Sequence, residues 1–191
     1  VVFDNGDTVG LAFEWLVEAR DEASCVVRLV NSGFGSGEEW DDQYDSMRDG
    51  WGIFLTNLRL HLQHFAGRSA TPSVPMAVWA APSDAAWARL TADLGVDAAP
   101  VVGDRLEVTA ADAPALAGTV AAVADDHVAL VVDTPAEGTA FLAAEQVGDT
   151  VSVSVWTYLY GDAGAAAAAT DEARWREWLG SRGLPEASPA D

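Results

Sequence analysis

The chain contains no lysine. Its 10 basic residues are all arginine, set against 30 Asp and Glu in 191 residues, for a formal net charge of −20. A surface of that sign repels the phosphates of DNA and RNA and the head groups of anionic lipids, so neither nucleic acid nor membrane is expected as a partner. Cysteine occurs once, at Cys25, which excludes an internal disulfide and a cysteine-rich metal site. Cys25 reads as a small strand residue, and a cytoplasmic location is the default expectation. No stretch approaches the roughly 18–20 apolar residues of a membrane span; the longest run of small residues, Ala165 to Ala169, is too short and too weakly apolar. Val1-Val2-Phe3-Asp4 has no basic segment of the secretory kind. The chain also opens without Met, so residues of a parent domain are expected ahead of it. Phosphate-cradling glycine loops and a Ser/His/Asp signature are missing as well. No catalytic residue, cofactor or metal is therefore predicted.

What is present is apolar material in two kinds of periodicity. Half of the residues are hydrophobic, enough for one domain or two small ones. Asn5-Gly6 is a hairpin signal, since both residues tolerate positive φ. Leu11, Phe13, Trp15 and Val17 then alternate with polar positions, and the β-branched run Cys25 to Asn31 returns as the next strand. Ser36 with Glu39 three positions later forms a capping box. The helix it opens runs to about Phe65 and carries Trp40, Tyr44, Met47, Trp51, Phe54, Leu55, Leu58, Leu62 and Phe65 in steps of three and four, with Gly67 at its C-terminal end. At ~1.5 Å per residue it is roughly 40 Å long, and so much aromatic surface must lie across a sheet. Gly50 and Gly52 flank Trp51 and predict a close approach of helix to sheet.

Residues 68–75, rich in Ser, Thr and Pro, read as a linker. Beyond it, Met76 to Ala80 is a short strand. Pro82-Ser83-Asp84 opens a helix that ends at Gly95. Arg105 to Thr109, Ala117 to Val123, Val128 to Asp133, Thr139 to Glu145 and Val151 to Tyr160 read as strands. A final helix covers residues 165–180 with Trp175, Trp178 and Leu179, and residues from Glu186 read as a frayed tail. Two segments echo each other. Phe13 to Gly35 and Phe141 to Gly161 are both hairpins that end in aromatic-Gly before a helix, which suggests two related domains.

The residues Arg28-Leu29-Val30-Asn31-Ser32-Gly33-Phe34, then Trp40 to Asp45, Gly50-Trp51 and Phe54 to Leu58 resemble the end of an SRPBCC domain. More narrowly, they resemble bacterial homologues of the activator of heat-shock protein 90 ATPase. The resemblance covers about residues 9–67; residues 76–180 are similar in element order alone. It implies an α+β helix-grip fold, in which a curved antiparallel sheet wraps a long C-terminal helix and the space between them holds a hydrophobic ligand. Residues 1–8 are too few for the strand and two short helices with which such a domain begins, so the first domain is expected to be N-terminally truncated. The implied organisation is a C-terminal half-domain over 1–67, a linker over 68–75, a second helix-grip-like unit over 76–183, and a tail over 184–191.

On this reading the candidate cavity-lining residues are Trp15, Val17, Arg28, Met47, Trp51, Phe54, Leu55, Leu58 and His61. Arg28 is read chiefly as an outward side chain pairing Glu14 across the hairpin. His61 and His64 are read as polar residues favoured by the helix dipole, with no third ligand near enough for a metal. The expected function is non-catalytic binding of a small hydrophobic molecule. Two alternatives use the same fold: a chaperone-activator-like interaction module, and a cyclase/aromatase-like enzyme. A stripe seven turns long is more than three strands can cover, so packing by residues 76–180 or a homodimer is expected.

Overall fold

The computed structural model describes residues 2–3, 12–21, 24–33 and 38–183, with side chains described from residue 12 onward except at 38–50. The turn at Asn5-Gly6, the cap at Ser36, the side chains of Trp40, Tyr44 and Met47, and the tail lie outside that set. The chain divides into two compact units, Val1–Arg48 and Asp49–Asp191.

The first unit holds a three-stranded antiparallel sheet in the order β1-β2-β3, built from β1 (Val2–Phe3), β2 (Ala12–Asp21) and β3 (Ser24–Ser32). Trp15 is opposite Leu29, and Leu16 is opposite Arg28. The period-two alternation therefore puts Trp15 and Val17 on one face and Arg28 on the other. Helix α1 (Glu38–His64) begins in this unit and continues into the second.

The second unit is a seven-stranded antiparallel sheet with helices on it. In chain order it comprises β4 (Ala70–Ser73), β5 (Met76–Trp79), α2 (Ser83–Leu94), β6 (Arg105–Glu107), β7 (Ala117–Val123), β8 (His127–Thr134), β9 (Gly138–Val147), β10 (Thr150–Tyr160) and α3 (Gly161–Arg182). The strand order is β4-β10-β9-β8-β7-β6, and β5 also pairs with β10. The inner face carries Val128, Leu130, Leu142, Val153 and Val155. These pack with Leu90 and Leu94 of α2 and with Trp175, Trp178 and Leu179 of α3, each no more than 3% exposed. Burying each such side chain contributes about 1.5–3 kcal/mol. Polar ties then fix the end of α3: the Trp79 indole N–H donates to the Leu179 carbonyl at 3.1 Å, and Arg182 lies over the Trp178 ring and pairs with Asp112 at 2.6 Å. An antiparallel sheet wrapped around a long C-terminal helix is the α+β helix-grip arrangement.

The opposite, outer face of the same sheet carries Ala129, Phe141, Ala143 and Trp156, and Ile53 and Leu60 of α1 are buried against them. Residues 138–144 of β9 are consequently buried on both faces. The C-terminal half of the long helix is thus covered by the second series of strands.

Four sequence expectations are corrected. Residues 70–73 are an edge strand instead of a linker: Pro72 sits opposite Tyr158 of β10, and an edge position tolerates its missing N–H. Helix α3 begins at Gly161, earlier than residue 165, because Gly164 packs against Leu159. Among the described residues, Ile53 and Leu60 of α1 and Phe65 just beyond it are buried, while Phe54, Leu55 and Leu62 are 46%, 36% and 49% exposed. Gly52 has nothing within 4 Å of an added Cβ, so it serves no close approach.

Candidate ligand-binding cleft

Helix α1 is held on the outer face by polar contacts along one of its sides. The Thr139 hydroxyl donates to Asn57 Oδ1 at 2.6 Å. His61 Nδ1 is hydrogen-bonded to the Tyr160 hydroxyl at 2.7 Å, with the two rings stacked. Phe65 stacks on Tyr160 at 4.2 Å between centroids, and Arg68 lies over both rings while pairing with Glu137 at 3.1 Å. Burial raises the Tyr160 phenol above its ordinary pKa, and the nearby Arg68 opposes that shift.

The other side of α1 overhangs β7 and β8 without closing on them. Arg59, Leu60, Gln63 and His64 face Thr119, Val120, Ala121 and Val131 across a cleft of about 410 Å³. The local reason is in β7. The β7–β8 register shifts between Val120 and Ala122, so Ala121 is an extra residue in the strand. Such a bulge bends the strand and redirects its side chains. Alanine at 121, 122 and 129 keeps the sheet surface low beneath the helix, which leaves the gap.

A second polar group lies further along the outer face. His127 is 8% exposed, and its Nδ1 is 2.7 Å from Asp126 Oδ1. In the sheet, His127 pairs with Ala143 and Ala143 with Ser154. The Oγ of Ser154 and the Nε1 of Trp156 are buried without hydrogen-bond partners. Two strand spacings of about 4.8 Å each separate His127 from Ser154, so these residues do not form a nucleophile–base pair. Among the described residues no cluster of three or more His, Cys, Asp or Glu is suited to a metal ion.

The hydrogen bond from His127 holds the Asp126 carboxyl below its ordinary pKa, against a smaller opposing effect of burial. A carboxyl whose pKa is lower folded than unfolded adds stability above the unfolded value, about 3.9, and loses it as pH falls through the folded value. Asp126→Asn is therefore expected to cost roughly 1 kcal/mol at pH 7, after allowance for solvent screening of a partly exposed carboxylate. The difference from wild type should begin to shrink as pH falls toward about 4 and close once the lowered folded value is passed. Urea unfolding at pH 7, 5 and 3.5 checks this; a gap that stays constant across the series would refute the coupling.

The nine sequence-predicted residues fall in both units: Trp15, Val17, Arg28 and Met47 in the first, Trp51, Phe54, Leu55, Leu58 and His61 in the second. Trp15 is half-buried on β2; Val17 is 68% exposed and Arg28 is exposed on β3. The Met47 side chain lies outside the described residues. Trp51 and Phe54 are in ring contact at 5.7 Å, and Phe54 meets Trp156 at 5.3 Å. Leu55 is exposed, Leu58 is half-buried, and His61 is engaged with Tyr160. Of those whose side chains are described, none lines the cleft beside β7. Arg59 and Gln63, which do line it, carried no sequence signal beyond the scarcity of cations. His64 was visible only as a polar residue in the last turn.

No protein-family profile matches the chain, and no curated protein matches it by sequence. Among solved structures, DynU16, from the dynemicin biosynthetic locus, aligns with a TM-score of 0.41 at 18% identity over 56% of this chain and 46% of that one. BexL, a di-domain ARO/CYC from the BE-7585A biosynthetic pathway, aligns with a TM-score of 0.36 at 16% identity over 93% of this chain and 67% of that one. This chain thus spans less than half the length of DynU16. Both likenesses concern the fold. No helix among the described residues is long and apolar enough to cross a membrane.

Proposed function

We propose that the protein is a non-catalytic helix-grip binding protein that takes a small, largely apolar molecule between its long helix α1 and the outer face of the seven-stranded sheet. The observation that carries this reading is the cleft of about 410 Å³ whose apolar lining is Leu60, Val120, Ala121 and Val131. Its volume falls in the range of about 300–1,000 Å³ usual for small-molecule sites, and it combines an apolar floor with a few polar groups at the rim. The inner face, where a helix-grip protein would otherwise be hollow, is occupied by Trp79, Leu90, Trp175 and Trp178. That filling favours the outer cleft.

Isothermal titration of the full chain with decanol, a neutral apolar probe, tests the reading. Saturable binding is expected in the wild type. It should be lost in Ala121→Trp, whose indole fills the cleft from a partly exposed position that tolerates it. Equal binding by the two proteins, or no saturable binding by the wild type, would overturn the assignment.

A second reading is favoured by a different observation. Phe54, Leu55 and Leu62 leave an apolar stripe exposed on α1, as suits an interaction module. Together with the resemblance of residues 9–67 to the activator of heat-shock protein 90 ATPase, it points to a chaperone partner, and a second copy of the chain is the other candidate. Stimulation of a bacterial heat-shock protein 90 ATPase that is lost in Leu55→Asp would support the chaperone partner.

A further inference from the structure

We propose that the ligand of the α1–β7 cleft is an amphipathic monocarboxylate whose head group is held by Arg59, an inference that rests on the binding role assigned to that cleft. The chain has three acidic residues for every arginine, so most of its arginines are claimed. Arg68, Arg89, Arg105, Arg174, Arg176 and Arg182 each lie within ion-pair distance of a carboxylate. Arg59 stands on the cleft wall with no such partner among the described residues. Among the described residues, the lining of the cleft contains no Asp or Glu. In a molecule of net charge −20, this is a local site where an anion meets a cation and no fixed negative charge.

The shape of the chemistry matches one ligand class. The guanidinium is a planar fork that donates to a carboxylate in bidentate fashion. The Gln63 amide and the Thr119 hydroxyl lie in the same wall and floor as additional donors. Leu60, Val120, Ala121 and Val131 offer an apolar bed for the rest of the molecule. A dianion or an extended polar molecule would find one cation and mostly apolar surface. A neutral hydrocarbon would leave Arg59 unused.

A second cleft provides the contrast. It lies between the end of α2 and β6 and is lined by Asp97, Asp104, Arg105 and Glu107, among others. Its arginine is already engaged by Asp133 in two hydrogen bonds, at 2.8 and 3.1 Å. An anion entering there would meet three carboxylates and an occupied cation. The preference for a carboxylate is therefore specific to the cleft beside β7.

Isothermal titration with decanoate and with decanol on the wild type, Arg59→Gln and Ala121→Trp separates the possibilities. Decanoate is expected to bind the wild type. Arg59→Gln should weaken decanoate by about tenfold or more, as befits the loss of a charge-assisted hydrogen bond, and weaken decanol far less. Raising the ionic strength should weaken decanoate and leave decanol alone. If Arg59→Gln binds decanoate as the wild type does while Ala121→Trp abolishes both ligands, the cleft remains the binding site and the head-group assignment is overturned. If Ala121→Trp binds both as the wild type does, the cleft itself is excluded. Arg59 is exposed and holds no ion-pair partner among the described residues, so its replacement is not expected to disturb folding, and a matching thermal midpoint verifies that.

Discussion

Trp79→Ala is expected to destabilise the second unit by about 3–5 kcal/mol, the range for removing a large aromatic side chain from a packed interior. Trp79 is fully buried and belongs to the inner-face cluster with Leu90, Leu94, Trp175 and Leu179. The cost has two sources. Removing the indole leaves a cavity bordered by two helices and β10, and neighbours held by a sheet cannot collapse into it freely. It also strips the Leu179 carbonyl, in the last turns of α3, of the N–H that satisfies it. Trp79→Phe separates the two, since it keeps most of the volume and loses only the donor; a cost of about 1 kcal/mol is expected there. Urea unfolding followed by circular dichroism measures both. A loss below 1 kcal/mol for Trp79→Ala would mean that the inner face is not the packed core described.

Gly138→Ala is the second large effect, expected at about 3 kcal/mol from overpacking against backbone. Gly138 opens β9 opposite Leu159. A Cβ there would collide with the Tyr158 carbonyl oxygen and would lie 2.8 Å from Leu159 Cδ2 and 3.1 Å from Leu159 Cα. Strand atoms cannot step aside as the tip of a long side chain can. The strain would fall on β10 just before Tyr160, the residue that stacks on Phe65 of the α1 connection. Gly52→Ala provides the control of opposite sign: it lies mid-helix on an exposed position with open space around it. A gain of about 1 kcal/mol is expected there from helix propensity alone. Thermal melts of the two variants side by side test the pair. Equal shifts would show that the close approach at Gly138 has no energetic weight.

Local signals in the sequence located most of the second unit. Pro82-Ser83-Asp84 and Gly95 bracket α2 because a proline at the start and a left-handed glycine at the end are requirements of the helix backbone itself, and Gly95 has φ of 69°. The clean alternation of Val151 to Tyr160 gave β10 because its two faces meet different partners. Where long-range partners decide, composition misleads. Thr71-Pro72-Ser73 has the make-up of a loop, and only the distant β10 makes it a strand. Gly161 to Gly164 likewise reads as a loop, but Gly164 is required by contact with Leu159. The stripe Trp51, Leu55, Leu58, Leu62 is the most apolar side of α1, yet the side set on the seven-stranded sheet includes Asn57 and His61. Those polar groups are accommodated by Thr139 and Tyr160, 82 and 99 residues away. The cleft was invisible for the same reason: it depends on a bulge at Ala121 that no residue preference announces, and on a helix–sheet juxtaposition that only the fold creates.

The pairing of β4 and β5 with β10 has a consequence in time. A ribosome releases Ala70 to Trp79 well before their partners, since Ala70 pairs with Tyr160 and Trp79 with Val151. At about 5–20 residues per second, the edge waits roughly 4–16 s for the strand that completes it. During that interval β9 emerges with its buried run Thr139 to Ala144, uncharged, largely apolar and without a neighbour on one side. Such a segment is a nucleus for intermolecular pairing. The scattered acids, whatever they do on the finished surface, repel one nascent chain from the next through that wait.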